Sequence, residues 1–378
     1  MKDNQFAELQ LFITGPTYLR PEVREAALLP EFGHRDAENV KRFGPIVADL
    51  KKLAGAGNDY EVILFNGSGS TAMEASIRSL VADDETVLNV SMGAFGDLYH
   101  KMAVLNGKKA VQLRIQAGEA VYPDTLAAAL KEHKPAVVTI THNETSTGVV
   151  NDMKTLCAVI REHGAMSLVD GVSIFGGAPV NLSELGCAMY STATQKSLGL
   201  PAGFGVAFVN AEAEGKAARV TNKGYAMDIL QQLPKARKFQ TLSTPNGTLA
   251  NQMWLQLEYM VNDEGIENRF ARHAAMRGMV EEFVAGLPGY AMFAPEGFRS
   301  ATVSAVMAPQ GVTVADLKNL KEAMRAKGYL FDPGYGKLNG ELEEAGKRVI
   351  FRIGHMGEIT PAMLTRYLEA LRTVLPKG

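Results

Sequence analysis

Short hydrophobic runs recur along the first two thirds of the chain: Glu61–Phe65, Val87–Val90, Lys109–Ile115, Ala136–Thr141, Ser167–Val169, Ala188–Tyr190 and Gly203–Val209. Each is bounded by Gly, Pro or a polar cluster, as buried strands are. Stretches with helical spacing alternate with them, over Val40–Leu53, through Val81, and over Lys154–His163. Strand–helix alternation of this kind predicts an α/β fold with a mixed, mostly parallel sheet flanked by helices. The strand Gly203–Val209 is expected to close that sheet antiparallel. Residues 211–240, with Tyr225 in the middle, read as charged and irregular, and a helix is expected over Leu249–Asn262.

The texture changes after Asn262. Helix Ile266–Leu287 has an apolar stripe with Arg and His on its other face. Strands near Tyr290–Phe293 and Thr302–Met307, helix Val314–Lys327, strand Tyr329–Phe331 and strand Arg348–Ile353 follow. A last helix runs over Pro361–Leu375, with Pro361 in its first turn, where a missing N–H costs nothing. The expected division is an arm over residues 1–14 lying on a neighbour or on the small domain, a large domain over 15–260, and a smaller α+β domain over 261–378.

Composition narrows the function. A length of 378 residues fits two or three domains at about 150 residues each. With a net charge of −2, there is no electrostatic case for nucleic acid or an anionic membrane. No apolar run approaches the ~20 residues of a membrane span. The N-terminal residues resemble no secretory or transit signal and the C-terminal ones no peroxisomal address, so a cytoplasmic location is expected. Cys157 and Cys187 are too few and too unpatterned for disulfides or zinc, and no metal site is expected.

The chemistry concentrates at strand ends. Ser167–Val169 leads into Asp170, and Ala188–Tyr190 leads into a polar run ending in Gln195-Lys196. Two opposite charges therefore sit at one sheet edge, where open α/β sheets bind ligands. Glu61–Phe65 runs into the glycine-rich turn Asn66–Ala72 and then a helix, a natural phosphate cradle. It is not a Walker A loop, because no Gly-Lys-[Ser/Thr] follows. Nor is it a full dinucleotide fingerprint, because Ala72 stands at the third glycine position. Strand Ala136–Thr141 ends in His142-Asn143-Glu144-Thr145-Ser146-Thr147-Gly148, and Arg348–Ile353 ends in Arg352-Ile353-Gly354.

These elements resemble the class V aminotransferases among the fold-type I pyridoxal-phosphate enzymes, over nearly the whole chain from Gly15-Pro16 to Gly357. Asp170-Gly171-Val172, Gln195-Lys196, the His-x-Glu-[Ser/Thr]-Ser-Thr-Gly pattern and Arg-Ile-Gly carry the match. The resemblance implies pyridoxal 5'-phosphate as cofactor, with Lys196 as its Schiff-base lysine. It makes Asp170 the partner of the pyridine nitrogen, which turns the ring into an electron sink. It implies a phosphate cup at Ser68, Gly69 and Ser70, with Ser243 or Thr244 reaching the phosphate across a homodimer interface. Phe95 and Val172 would sandwich the ring, Thr145 would bond its phenolic oxygen, and Gln195 stands beside the lysine. Arg352 would clamp the substrate α-carboxylate, which suits a guanidinium better than an ammonium. Gly15 would pass close to the substrate, His34 and Arg35 would stand at the site mouth, and Asp332–Gly336 would form an entrance loop.

The implied activity is ping-pong transfer of an amino group from serine or alanine to glyoxylate or pyruvate. Phosphoserine is the alternative donor, because His34, Arg35 and His355 could meet an anionic tail. A pyridoxal-phosphate lyase keeps the same lysine and aspartate and stays open. A cysteine desulfurase is disfavoured, since neither cysteine lies on a C-terminal loop. A non-catalytic subunit is disfavoured by the intact Lys196, Asp170, Thr145 and Arg352.

Overall fold

The computed structural model describes residues 8–376. Its main sheet has seven strands, in the spatial order Tyr60–Gly67, Gly203–Asn210, Met189–Ala193, Met166–Asp170, Val137–Thr141, Thr86–Ser91 and Lys109–Arg114. All but Gly203–Asn210 run in one direction. The sheet is covered on both faces, because successive side chains of a strand point to opposite sides. Val62 and Leu64 join Phe43, Ile46, Leu50, Leu249 and Met253 in one core. Ile63 and Phe65 join Met73, Ile77, Tyr99 and Ala213 in the other.

Gly203–Asn210 is antiparallel, as expected, but it does not close the sheet. It lies between Tyr60–Gly67 and Met189–Ala193, and Tyr60–Gly67 is the edge. Its run Phe204–Val209 is buried throughout, which suits an interior strand with both faces covered. Residues 211–240 are irregular only in part, over 218–228 and 237–240. Helices Ala211–Ala217 and Ile229–Ala236 form there. Asn210 accepts from the Ala213 N–H and Asp228 from the Leu230 N–H, so each helix carries a side-chain cap that its charge-rich sequence obscures.

A second sheet has three antiparallel strands, Ala291–Met292, Val303–Met307 and Ile350–Gly354. Helices Ile266–Ala285, Val314–Ala326 and Pro361–Arg372 pack on it around Met276, Val306, Leu320, Phe351, Leu364 and Tyr367. Of the arm expected over residues 1–14, residues 1–7 lie outside the described residues. Gln10–Leu11 pairs in parallel with Tyr329–Leu330, and the Phe12 ring stacks on Tyr367 with centroids 3.9 Å apart. Residues Gln10–Phe12 thus pack against C-terminal elements of their own chain. An unanticipated helix, Gly336–Glu344, follows the Asp332–Gly336 turn.

Helix Ile266–Ala285 turns part of its Arg and His set inward. Arg269 and His273 are fully buried. Arg269 donates to Gly176 O and Ser197 O at 2.8 and 2.7 Å and pairs with Glu264 and Glu358. A buried guanidinium is tolerated only with such complete pairing. Among the described residues no helix is long and apolar enough to cross a membrane.

Candidate active site

The carboxyl ends of the parallel strands converge, and all but that of Lys109–Arg114 deliver a part of the site. Asp170 stands opposite Thr141 on one side and Ser191 on the other. It is buried, and among the described residues only the Val172 N–H donates to its carboxylate, at 2.9 Å. Burial, reinforced by the nearby Glu144 charge, pushes the Asp170 carboxyl up to about 7, against the opposing Val172 bond and Lys196 charge. Lys196 follows the next strand. Its Nζ donates to the Thr14 carbonyl and lies 5.8 Å from the centroid of the Phe95 ring. Burial and the Arg352 charge bring its ammonium down to about 8, while Asp170, Asp332 and Glu144 pull the other way.

The His142–Gly148 run positions Phe95. Glu144 is buried, and burial raises its carboxyl above the usual range. Its Oε2 accepts from the Phe95 and Gly96 N–H groups at 3.0 and 3.2 Å, and its Oε1 accepts from the Ser146 N–H and hydroxyl. The unpaired N–H groups that open helix Ala94–Leu105 are thereby satisfied, and the ring is fixed beside Lys196. Thr145 is buried next to them, and its carbonyl accepts from Arg352 Nη1 at 3.0 Å.

The glycine-rich turn lies across from Asp170. A Cβ on Gly69 would stand 2.6 Å from Val172 Cγ2, so only glycine lets the turn approach that closely. The turn caps the twelve-residue helix Gly69–Leu80, whose first N–H groups face the same edge, with Ser68 at the cap and Ser70 exposed. Gln195 is half-buried, and its Oε1 is buried with no partner among the described residues. Gly15 reaches the site from the N-terminal segment with φ +115°, and a Cβ there would meet Lys196 Cδ at 2.7 Å.

This donor set fits the cofactor expected from the sequence. It offers a lysine that is partly neutral near physiological pH and a helix N-terminus for a phosphate. It also offers an unsatisfied buried carbonyl and a buried carboxylate with one hydrogen bond, which a cationic ring N–H would complete.

Within the single chain, five further expected contributors stand as follows. Arg35 donates to Gln240 Oε1, Thr241 O and Leu242 O at 3.0, 2.8 and 2.8 Å, so its guanidinium braces the 240–242 segment of its own chain. His34, half-buried beside it, makes no hydrogen bond to the other candidate residues. Ser243 and Thr244 are exposed beside the glycine-rich turn, where Asn66 Nδ2 donates to Ser243 Oγ and Thr244 O at 3.2 and 2.7 Å. His355 is fully buried against Ser304, 3.0 Å away, and burial takes its imidazole down to about 3.

Two contributors were not anticipated. Asp332, read as part of an entrance loop, is buried and pairs with Arg352. Its Asp-Pro-Gly context signals only a turn. Arg269, read as surface charge, holds the carbonyl of Ser197, the neighbour of Lys196.

A family model described as aminotransferase class-V matches residues 27–326. An uncharacterized aminotransferase of Methanocaldococcus jannaschii is 32% identical over 351 residues, covering 92% of this chain and 87% of that protein. A serine–glyoxylate aminotransferase of Methylorubrum extorquens is 30% identical, with 94% of this chain and 88% of that protein covered. Among solved structures, an alanine–glyoxylate aminotransferase from Nostoc sp. superposes with a TM-score of 0.89 at 25% identity, covering 99% of this chain and 97% of that one.

Proposed function

The chain belongs to the class V aminotransferases, fold-type I enzymes that use pyridoxal phosphate, and from that premise we propose that it moves the amino group of serine or alanine to glyoxylate or pyruvate. The observation that carries the small-donor reading is where the spare cations go. Arg352 is the guanidinium beside Lys196, and a 2-carboxylate satisfies it. Two of the three groups that could read a phosphate tail are engaged otherwise in this chain: Arg35 on the carbonyls of 240–242, and His355 neutral in the interior. The names of the serine–glyoxylate and alanine–glyoxylate relatives support the same choice.

Bound pyridoxal phosphate supplies the electron sink that lets an amino acid lose its α-hydrogen. The chain's residues do the rest. Lys196, with an ammonium at about 8, exists in part as the free amine near neutral pH and takes the proton from Cα. Asp170 would partner the protonated ring nitrogen, and Phe95 and Val172 would hold the ring between them. Gln195 lies along the edge carrying Lys196, and Thr145 offers its hydroxyl to the phenolic oxygen. The turn Ser68–Ser70 and its helix N-terminus take the phosphate. Arg352 fixes the α-carboxylate with its remaining N–H groups, and Gly15 leaves room over the lysine. Arg352→Lys is expected to raise KM for amino and oxo substrates alike by roughly 10- to 100-fold, the worth of a lost charged hydrogen bond. Steady-state kinetics with alanine and glyoxylate check this. An unchanged KM for both would remove Arg352 from the site. A screen of serine, alanine, aspartate and phosphoserine against glyoxylate, pyruvate and 2-oxoglutarate tests the donor class. Phosphoserine outrunning serine and alanine would overturn it.

We further propose that the working unit is a two-fold homodimer. Arg35 ties the 33–36 turn to 240–242, and Ser243 and Thr244 stand exposed at the end of that braced segment. Leu28, Val40 and Phe239 expose apolar surface nearby in the chain, which suits burial against a second copy reached by the same hydroxyls. Sedimentation is expected to show a dimer. A fully active monomer would contradict it. The cytoplasm is the compartment proposed, where the buried thiols Cys157 and Cys187 stay reduced.

A further inference from the structure

We infer that Asp332 is a positioning residue for substrate binding, orienting the Arg352 guanidinium and tying it to the N-terminal segment on which Lys196 rests. The inference rests on the reading of Arg352 as the carboxylate clamp.

The hydrogen bonds of Arg352 show how. Its Nε and Nη2 donate to Asp332 Oδ1 at 3.3 and 3.1 Å, Nη2 lies 3.0 Å from Oδ2, and Nη1 donates to Thr145 O at 3.0 Å. Of the five N–H groups of a guanidinium, one on each terminal nitrogen then remains, the pair that an end-on carboxylate needs. The backbones join as well, since the Arg352 N–H donates to Asp332 O at 3.0 Å. A free arginine side chain carries much rotamer entropy, and a substrate would have to order it. Asp332 orders it beforehand.

The same carboxylate reaches the lysine. Asp332 Oδ2 accepts from the Thr14 N–H at 3.3 Å and the Thr14 hydroxyl at 3.2 Å, and Oδ1 accepts from the Gly334 N–H at 3.0 Å. Thr14 in turn presents its carbonyl to Lys196 Nζ. One buried side chain therefore holds the Arg352 clamp and the support of Lys196 in a fixed relation. It also balances charge. The charged groups acting on Lys196 are Asp170 from the main sheet, Glu144 from the run after strand Val137–Thr141, Arg352 from the small sheet, and Asp332. Arg352 disfavours the ammonium and Asp332 favours it, so removing the Asp332 charge leaves Arg352 uncompensated.

Asp332→Asn tests this with nearly unchanged volume. In the cofactor-loaded enzyme, KM for alanine and for glyoxylate is expected to rise roughly 10-fold or more, with a smaller change in kcat. The pH midpoint of the visible absorbance band is expected to fall by about one unit, which a purely structural role would not cause. In an Arg352→Lys background, Asp332→Asn is expected to add little further to KM, because the partner it orients is gone. Arg352→Lys raising KM while Asp332→Asn leaves both KM and midpoint unchanged would overturn the inference alone. Arg352→Lys leaving KM unchanged would overturn the clamp reading beneath it.

Discussion

Lys196→Ala is expected to lower turnover by at least about 10⁴-fold, the upper range for a positioned acid–base group, while the protein still folds. The side chain is buried, and among the described residues its Nζ has one hydrogen-bond acceptor, the Thr14 carbonyl. Removing it takes a charge out of a desolvated place, Asp332 keeps Arg352 as its partner, and burial already favours the neutral form of Asp170. The loss therefore falls on chemistry rather than on the fold. Borohydride treatment of the loaded wild-type enzyme is expected to fix the cofactor covalently, and the variant should fix none. Retained turnover, or fixation on another lysine, would remove Lys196 from its role.

The second large effect is expected at Asp170. Asp170→Asn should keep most cofactor affinity, because the Val172 N–H and the turn at Ser68–Ser70 are untouched. It should lower kcat by roughly 10²–10³-fold, as when one preorganised electrostatic partner is removed. A separate pH signature follows in protein freed of cofactor. The folded carboxyl sits near 7 against an ordinary 3.8, chiefly because burial disfavours its charge. Between these values the folded state holds a proton that the unfolded state has lost. Stability contributed by this group is complete below 3.8 and is lost as pH rises through about 7. Asp170→Asn should accordingly melt above wild type at pH 8 by differential scanning calorimetry, with the gap closing towards pH 4. A gap that does not change with pH would mean that Asp170 is not held in that state.

Much of this was readable in the residue pattern, because strand ends in an α/β sheet are local events. A short apolar run followed by Asp170, or by Gln195-Lys196, fixes both the strand and the edge at which its polar residue emerges. The glycine-rich turn at Gly67–Gly69 and the Glu144 loop are contiguous in sequence, so their geometry is written in one place. What escaped depends on partners far along the chain. The position of Gly203–Asn210 inside the sheet follows from what covers it on both faces, and its own alternation does not report that. Arg269 looks like surface charge until Glu264, Glu358 and the Ser197 carbonyl fold around it. Arg35 looks like a substrate cation from sequence, and its bonds to the 240–242 carbonyls of its own chain come from residues 205 and more positions away. Asp332 sits in a turn sequence, and its importance comes from a residue on the edge of a different sheet and from Thr14 at the other end of the chain.

The central claim is that the amino nitrogen passes from a small amino acid to a 2-oxo acid, and the most direct measurement follows that nitrogen. Purified enzyme loaded with pyridoxal phosphate is incubated with ¹⁵N-alanine or ¹⁵N-serine and unlabelled glyoxylate, and the products are read by mass spectrometry. ¹⁵N-glycine is expected in amounts matching the 2-oxo acid formed from the donor, with no labelled ammonia. Label released as ammonia, or a donor consumed without labelled glycine, would contradict it.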